Sequence, residues 1–155
     1  MGLVWAYLGV GLAVTLAGIG SAIGIGLVGQ AVAGVMSEDP RNFGKYLVLT
    51  ALPGTQGIYG FVAGFLGLNL ISTLTAAGAL TPEIGLQILL ACAPVGFAGW
   101  LSAIHQGKVC TAGIGLSAKQ PNESGKALVL GVFVEFYAVL GLLITIFLLN
   151  AVGGV

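Results

Sequence analysis

Val132-Phe133-Val134-Glu135-Phe136-Tyr137-Ala138-Val139 decides how this chain must fold, because it sets one carboxylate inside roughly 25 residues that are otherwise almost wholly apolar. A run of that length and character crosses a bilayer as a helix. An acidic side chain at that depth costs about 2.5–3.5 kcal/mol on insertion scales, so the folded protein has to offset it. A buried ionisable group of this kind points to function. The rest of the chain reads as scaffold and partners for Glu135.

Composition identifies the solvent. Hydrophobic residues make up 57% of the 155 and charged residues 6%, whereas a soluble domain carries about 25% charged residues. The expected fold is an all-α membrane protein with four transmembrane helices and little else. A net charge of zero argues against nucleic acid as a partner. The 27 glycines suit membrane helices that pack backbone to backbone. Cys92 and Cys110 fall on one expected span, about 27 Å apart along a helix, and read as small packing residues rather than a disulfide.

The spans follow from the apolar runs and the turns between them. A first hairpin, 1–72, carries spans at about 4–35 and 46–72, joined at Ser37-Glu38-Asp39-Pro40-Arg41-Asn42. A link over 73–83 leads to a second hairpin, 84–155, with spans at about 84–117 and 127–151 around Lys119-Gln120-Pro121-Asn122-Glu123. The first span is preceded by no basic segment, so a cleaved signal peptide is not expected. Arg41, Lys45, Lys108, Lys119 and Lys126 all border the two charged turns. The positive-inside rule therefore puts those turns in the cytoplasm, the middle link and both termini outside.

The two hairpins are copies of each other. A shift of 81 residues aligns Ala17-Gly18 and Ser21-Ala22-Ile23 with Ala98-Gly99 and Ser102-Ala103-Ile104. It also aligns Pro40 with Pro121, Gly44-Lys45 with Gly125-Lys126, and Leu47-Val48-Leu49 with Leu128-Val129-Leu130. The register fails at one informative place: Glu135 aligns with Gly54. Two copies of one hairpin share a single ionisable site, which packing alone does not explain.

Neutral oxygens gather at the depth of that carboxylate. The second span carries Leu52-Pro53-Gly54-Thr55-Gln56-Gly57-Ile58-Tyr59, in which a proline leaves a backbone carbonyl without its amide partner. Thr55, Gln56 and Tyr59 fall on one helical face. Thr55 lies about 15 Å past Lys45, Glu135 about 13 Å past Lys126, and Gln106 about 16 Å before Ser117, at the helical rise per residue. Taken alone, Thr55, Gln56 and Tyr59 read equally well as polar groups that join helices. With Gln106 and Glu135 in the same layer, they read as ligands for a hard monovalent cation. One negative charge against one positive charge is tolerable beside lipid, and without the ion the carboxylate must be protonated, hydrogen-bonded or salt-bridged.

Other features have plainer readings. His105 and Lys108, near the cytoplasmic end of their span, reach toward headgroups. Gly24-Ile25-Gly26-Leu27-Val28-Gly29 spells a dinucleotide fingerprint but follows no strand. Close helix packing accounts for it better, with Gly18, Ala22 and Gly26 on one face, Gly20 and Gly24 on another, and Gly99, Ala103 and Gly107 repeating the first. Asn122-Glu123-Ser124 is a glycosylation sequon in spelling, on the cytoplasmic side.

Leu-Pro-Gly-Thr-Gln-Gly-Ile-Tyr-Gly-Phe at 52–61, His-Gln-Gly-Lys-Val at 105–109 and Val-Glu-Phe-Tyr-Ala-Val-Leu-Gly at 134–141 resemble the proteolipid, or K, subunit of V-type and V/A-type rotary ATPases, a duplicated relative of the F-type rotor proteolipid. The resemblance covers essentially the whole chain and is closest to the bacterial sodium-translocating branch. It implies a non-catalytic, ion-translocating subunit, with Glu135 as the ion-carrying carboxylate. It further implies sodium ligands at the Leu52 carbonyl, the Thr55 hydroxyl, the Gln56 and Gln106 amides and Glu135, with Tyr59 hydrogen-bonding the carboxylate. The proline itself most directly frees the Leu49 carbonyl, so the choice of Leu52 rests on the resemblance alone.

The implied partners are further copies of the chain in a ring, a membrane stator subunit with an arginine, a central-stalk subunit, and lipid. No covalently bound cofactor is expected. The glycine-rich first and third spans are expected to line the inner layer, the second and fourth to carry the sites outside. Sodium is favoured as the transported ion because a proton would leave Thr55, Gln56 and Gln106 surplus; a proton-translocating proteolipid is the alternative. A small four-span channel is the rival from another class, but it leaves a single site in duplicated hairpins unexplained. The expected location is a bacterial plasma membrane.

Overall fold

Why the helices run past the apolar stretches is visible at their ends. In the computed structural model, which describes residues 1–154, α1 spans Gly2–Glu38, α2 Phe43–Ala51, α3 Thr55–Ala76, α4 Pro82–Lys119 and α5 Ser124–Gly153. Short 3₁₀ turns at Pro40–Asn42, Leu52–Gly54 and Pro121–Glu123 join them, and no strand occurs among the described residues. Thr81 caps α4 by accepting a hydrogen bond from the Ile84 amide at 3.3 Å, with Pro82 in the first turn and Lys119 in the last. Those polar residues belong to the helix without belonging to the apolar run. The same extension shortens the middle link to a turn around Gly78, whose φ of 67° is the left-handed conformation that glycine adopts freely.

Four rods result, α2 and α3 forming one of them across the turn at Leu52–Gly54, and all are long and apolar enough to cross a membrane. The chain is a multi-pass membrane protein. At 37 residues, α1 is about 55 Å long, so its end projects well beyond a hydrocarbon core of about 30 Å. Both projecting turns are pinned. Asp39 accepts hydrogen bonds from the Arg41 amide and guanidinium, which holds its carboxyl below the usual carboxylate range. Lys126 pairs with Glu123, and Lys45 donates to the Pro121 carbonyl at 2.8 Å, tying one hairpin's turn to the other's.

α1 packs on α4 along nearly its whole length, α3 flanks α1, α5 flanks α4, and α3 meets α5 only lightly. The inner pair can come this close because glycines carry the seam. A methyl group added at Gly24 would sit 2.5 Å from the Ala103 carbonyl oxygen, and one at Gly107 would sit 2.6 Å from the Gly24 Cα. Gly2 meets Gly85 in the same way at the other end. Partners across the seam thus stand about one repeat apart in sequence, so the hairpins are related by a rotation about an axis along the helices. The outer contacts repeat too. Gly60 packs on Ala13 and Ala17, and its counterpart Gly141 packs on their counterparts Pro94 and Ala98.

The stripe of Gly18, Ala22 and Gly26 behaves differently from its copy. Gly99, Ala103 and Gly107 are buried against α1, while Gly18 and Gly26 have open space over them. The packing face of α1 within the chain is the other stripe, Gly20 and Gly24. Two apolar clusters fill the interior, one around Val10, Ile71 and Ile88, the other around Val28, Leu49 and Ile114. The polar layer lies between them.

Candidate ion-carrying site

The break between α2 and α3 builds one wall. Pro53 cannot donate to the helix ladder, and Leu52–Gly54 tightens into a 3₁₀ turn around it. The Pro53 ring is buried against Gly24 of α1, whose missing side chain makes room for it. The Leu52 carbonyl accepts from the Thr55 hydroxyl at 2.9 Å, and the same hydroxyl lies 3.4 Å from the Gln56 Oε1. Three oxygens from five residues are thereby gathered at the start of α3.

Across from this wall stand α4 and α5. Gln56 and Gln106 are each fully buried, an arrangement that is costly for a carboxamide unless its hydrogen bonds are made. They are made. The Gln56 Nε2 donates to the Gln106 Oε1 at 2.6 Å, and the Gln106 Nε2 donates to the Gly131 carbonyl at 3.0 Å and to the Glu135 Oε2 at 3.4 Å. The Tyr59 hydroxyl donates to the other carboxylate oxygen, Oε1, at 2.5 Å. Glu135 itself is only partly covered, between the outer helices, with Phe133, Phe136 and Tyr137 exposed around it.

All six residues singled out from the sequence therefore meet in one layer, linked through α3, α4 and α5. His105 and Lys108 stay out of it, on an exposed face of α4. Among the described residues no three His, Cys, Asp or Glu side chains cluster, so the donor set is one carboxylate with neutral oxygens. Such a set suits a hard monovalent cation and poorly suits zinc or copper.

Two contacts were not visible from sequence. The Gly131 carbonyl anchors Gln106, and the Ser21 hydroxyl of α1 accepts a hydrogen bond from the Gly57 amide at 2.8 Å. A lone hydroxyl in an apolar span signals a cross-helix bond of this kind, but the partner emerges only with the helix rotations. The missing second site is equally concrete. Ile25, the counterpart of Gln106, lies with its Cδ1 3.1 Å from where a Gly54 Cβ would be, so an apolar contact replaces the amide–carboxylate pair.

The model of the ATP synthase C-subunit family matches residues 8–67 and again 89–148, the same 81-residue offset that relates the hairpins. The chain belongs to the ATP synthase C-subunit family. It is 43% identical over 152 residues to the V-type sodium ATPase subunit K of Enterococcus hirae, covering 97% of this chain and 94% of that one. It is also 43% identical over 144 residues to the A-type ATP synthase subunit K of Methanocaldococcus jannaschii, covering 93% of this chain but 61% of that longer relative. This proteolipid is accordingly a non-catalytic, ion-translocating membrane subunit of a rotary ATPase.

Proposed function

We propose that this proteolipid carries sodium on Glu135 as a ring of its copies turns in a V-type ATPase, driven by ATP hydrolysis in other subunits. The observation that carries the reading is the layer in which Glu135, Gln106, Gln56 and Thr55 are joined by hydrogen bonds between three helices. The name of the Enterococcus relative, a sodium ATPase, supports the choice of ion. A proton carrier needs the carboxylate and little more. It accounts neither for two fully buried glutamines nor for the oxygens gathered at Leu52 and Thr55.

The chemistry follows from those groups. The Glu135 carboxylate is held by two donors, the Tyr59 hydroxyl and the Gln106 amide. A sodium ion beside Glu135 would take its further oxygens from the Gln106 and Gln56 carboxamides, the Thr55 hydroxyl and the Leu52 carbonyl. The occupied site is neutral and passes lipid at low cost; the empty one does not. A stator arginine meeting Glu135 displaces the ion by substituting one positive charge for another. The charged turns face the cytoplasm of a bacterial cell, where a central stalk engages them, and both termini face outward.

Carbodiimide labelling of Glu135 in membranes bearing the assembled ATPase tests the proposal. Sodium at neutral pH is expected to protect Glu135, and Glu135→Gln to abolish both labelling and sodium-dependent ATP hydrolysis. Labelling that responds to pH while ignoring sodium identifies a proton carrier instead.

A further inference from the structure

We infer that Ser21 is a positioning residue for the ion site, an interhelical cap that holds the turn at Leu52–Gly54 in its binding geometry. The inference rests on the sodium-carrying reading of that site. Ser21 lies on α1, contributes no ligand, and is 6% exposed. Its Oγ accepts from the Gly57 amide at 2.8 Å. Gly57 directly follows Gln56 and stands two residues past Thr55, so the anchored amide belongs to the peptide chain that presents both side chains.

The contact is built rather than incidental. A methyl group at Gly57 would lie 3.2 Å from the Ser21 Oγ and 3.3 Å from its Cβ, so only glycine admits this approach comfortably. Amides at the start of a helix are the ones that most need an outside acceptor, and α3 restarts here after a proline turn. On the same side, Pro53 is seated against Gly24 one turn along α1. α1 therefore grips the break at two points, by the Pro53 ring before Thr55 and by the Gly57 amide after Gln56.

The repeat supplies the control. Ser102 is the counterpart of Ser21, and its Oγ turns back to its own helix, 3.4 Å from the Gly99 carbonyl. The matching outer position is Ala138, in a helix that carries no proline turn. The serine bonds across helices only in the hairpin with the broken span.

Removing the acceptor frees the turn to leave the geometry in which the Leu52, Thr55 and Gln56 oxygens converge, and apparent affinity falls by the fraction of time it does so. Ser21→Ala is expected to raise the sodium concentration for half-protection of Glu135 from carbodiimide roughly five- to tenfold. In the assembled ATPase the same variant is expected to raise KM for sodium with little change in kcat. Hydrogen exchange at the Gly57 amide is expected to quicken, and Ser102→Ala is expected to leave all three readouts at wild-type values. Should Ser21→Ala fail to assemble, Ser21→Cys keeps the volume with a poor acceptor and carries the same expectation. Wild-type protection with an unchanged half-protection concentration in the variant overturns the role of Ser21 alone. Wild-type labelling indifferent to sodium overturns the sodium reading of the site and this inference with it.

Discussion

Gln106 makes three hydrogen bonds from one fully buried carboxamide, to Gln56, to the Gly131 carbonyl and to Glu135. It joins the carboxylate to the buried Gln56 of α3, whereas Tyr59 donates to the other carboxylate oxygen, Oε1. Two substitutions should consequently separate. Gln106→Leu removes a proposed sodium ligand and leaves the Gln56 Nε2 without its acceptor, a loss of about 1–3 kcal/mol for a buried amide. Sodium protection of Glu135 should weaken tenfold or more, while labelling still follows pH because the carboxylate remains. Tyr59→Phe keeps the ring and deletes one donor to the carboxylate. Sodium titration of the two variants side by side should show the smaller shift for Tyr59→Phe; a larger one there would move the centre of the site to the outer helix pair.

The proline turn does for the second span what no side chain does alone. It halts the α2 helix, tightens Leu52–Gly54, and turns a carbonyl, a hydroxyl and a carboxamide toward one point. Pro53→Ala restores an amide to the ladder and should favour one continuous helix, since alanine is the best helix former. The variant should assemble with thermal stability equal to or above wild type, yet bind sodium more weakly, measured as half-protection of Glu135. Loss of both together would make the turn structural. Much of this element was legible in advance. Depth could be counted along rigid helices from the charged turns, which placed Thr55, Gln106 and Glu135 in one layer. Rotation and crossing could not be counted. Hence Ser21 and the Gly131 carbonyl went unseen, and of the two small-residue stripes on α1 only the structure shows that Gly20 and Gly24 carry the inner seam.

At the scale of the whole molecule, the repeat predicts how copies would meet in the proposed ring. Within the chain, Gly24 of α1 faces Gly107 of α4 at backbone contact. Moving each partner by one repeat turns that pair into His105 and Gly26, and both are exposed in a single chain. In a ring built from duplicated hairpins, the seam between copies is the quasi-equivalent of the seam within one. In such a ring Gly26, with open space over it, would receive the His105 of the next copy, and Gly18 its Ala98. The two seams cannot be alike. Leu101 and His105 stand where the inner seam has Gly20 and Gly24, so the helices between copies must lie farther apart than those within a copy. Gly26→Leu should then spare the four-helix fold and block assembly, seen as loss of the intact ring on native electrophoresis with helical content retained. Gly34→Leu, at another glycine with open space on α1 whose counterpart Gly115 is also uncovered within the chain and so lies off the seam, serves as the comparison. If Gly26→Leu rings form as readily as wild type, the seam between copies does not follow the repeat, and His105 faces lipid or the ring interior instead.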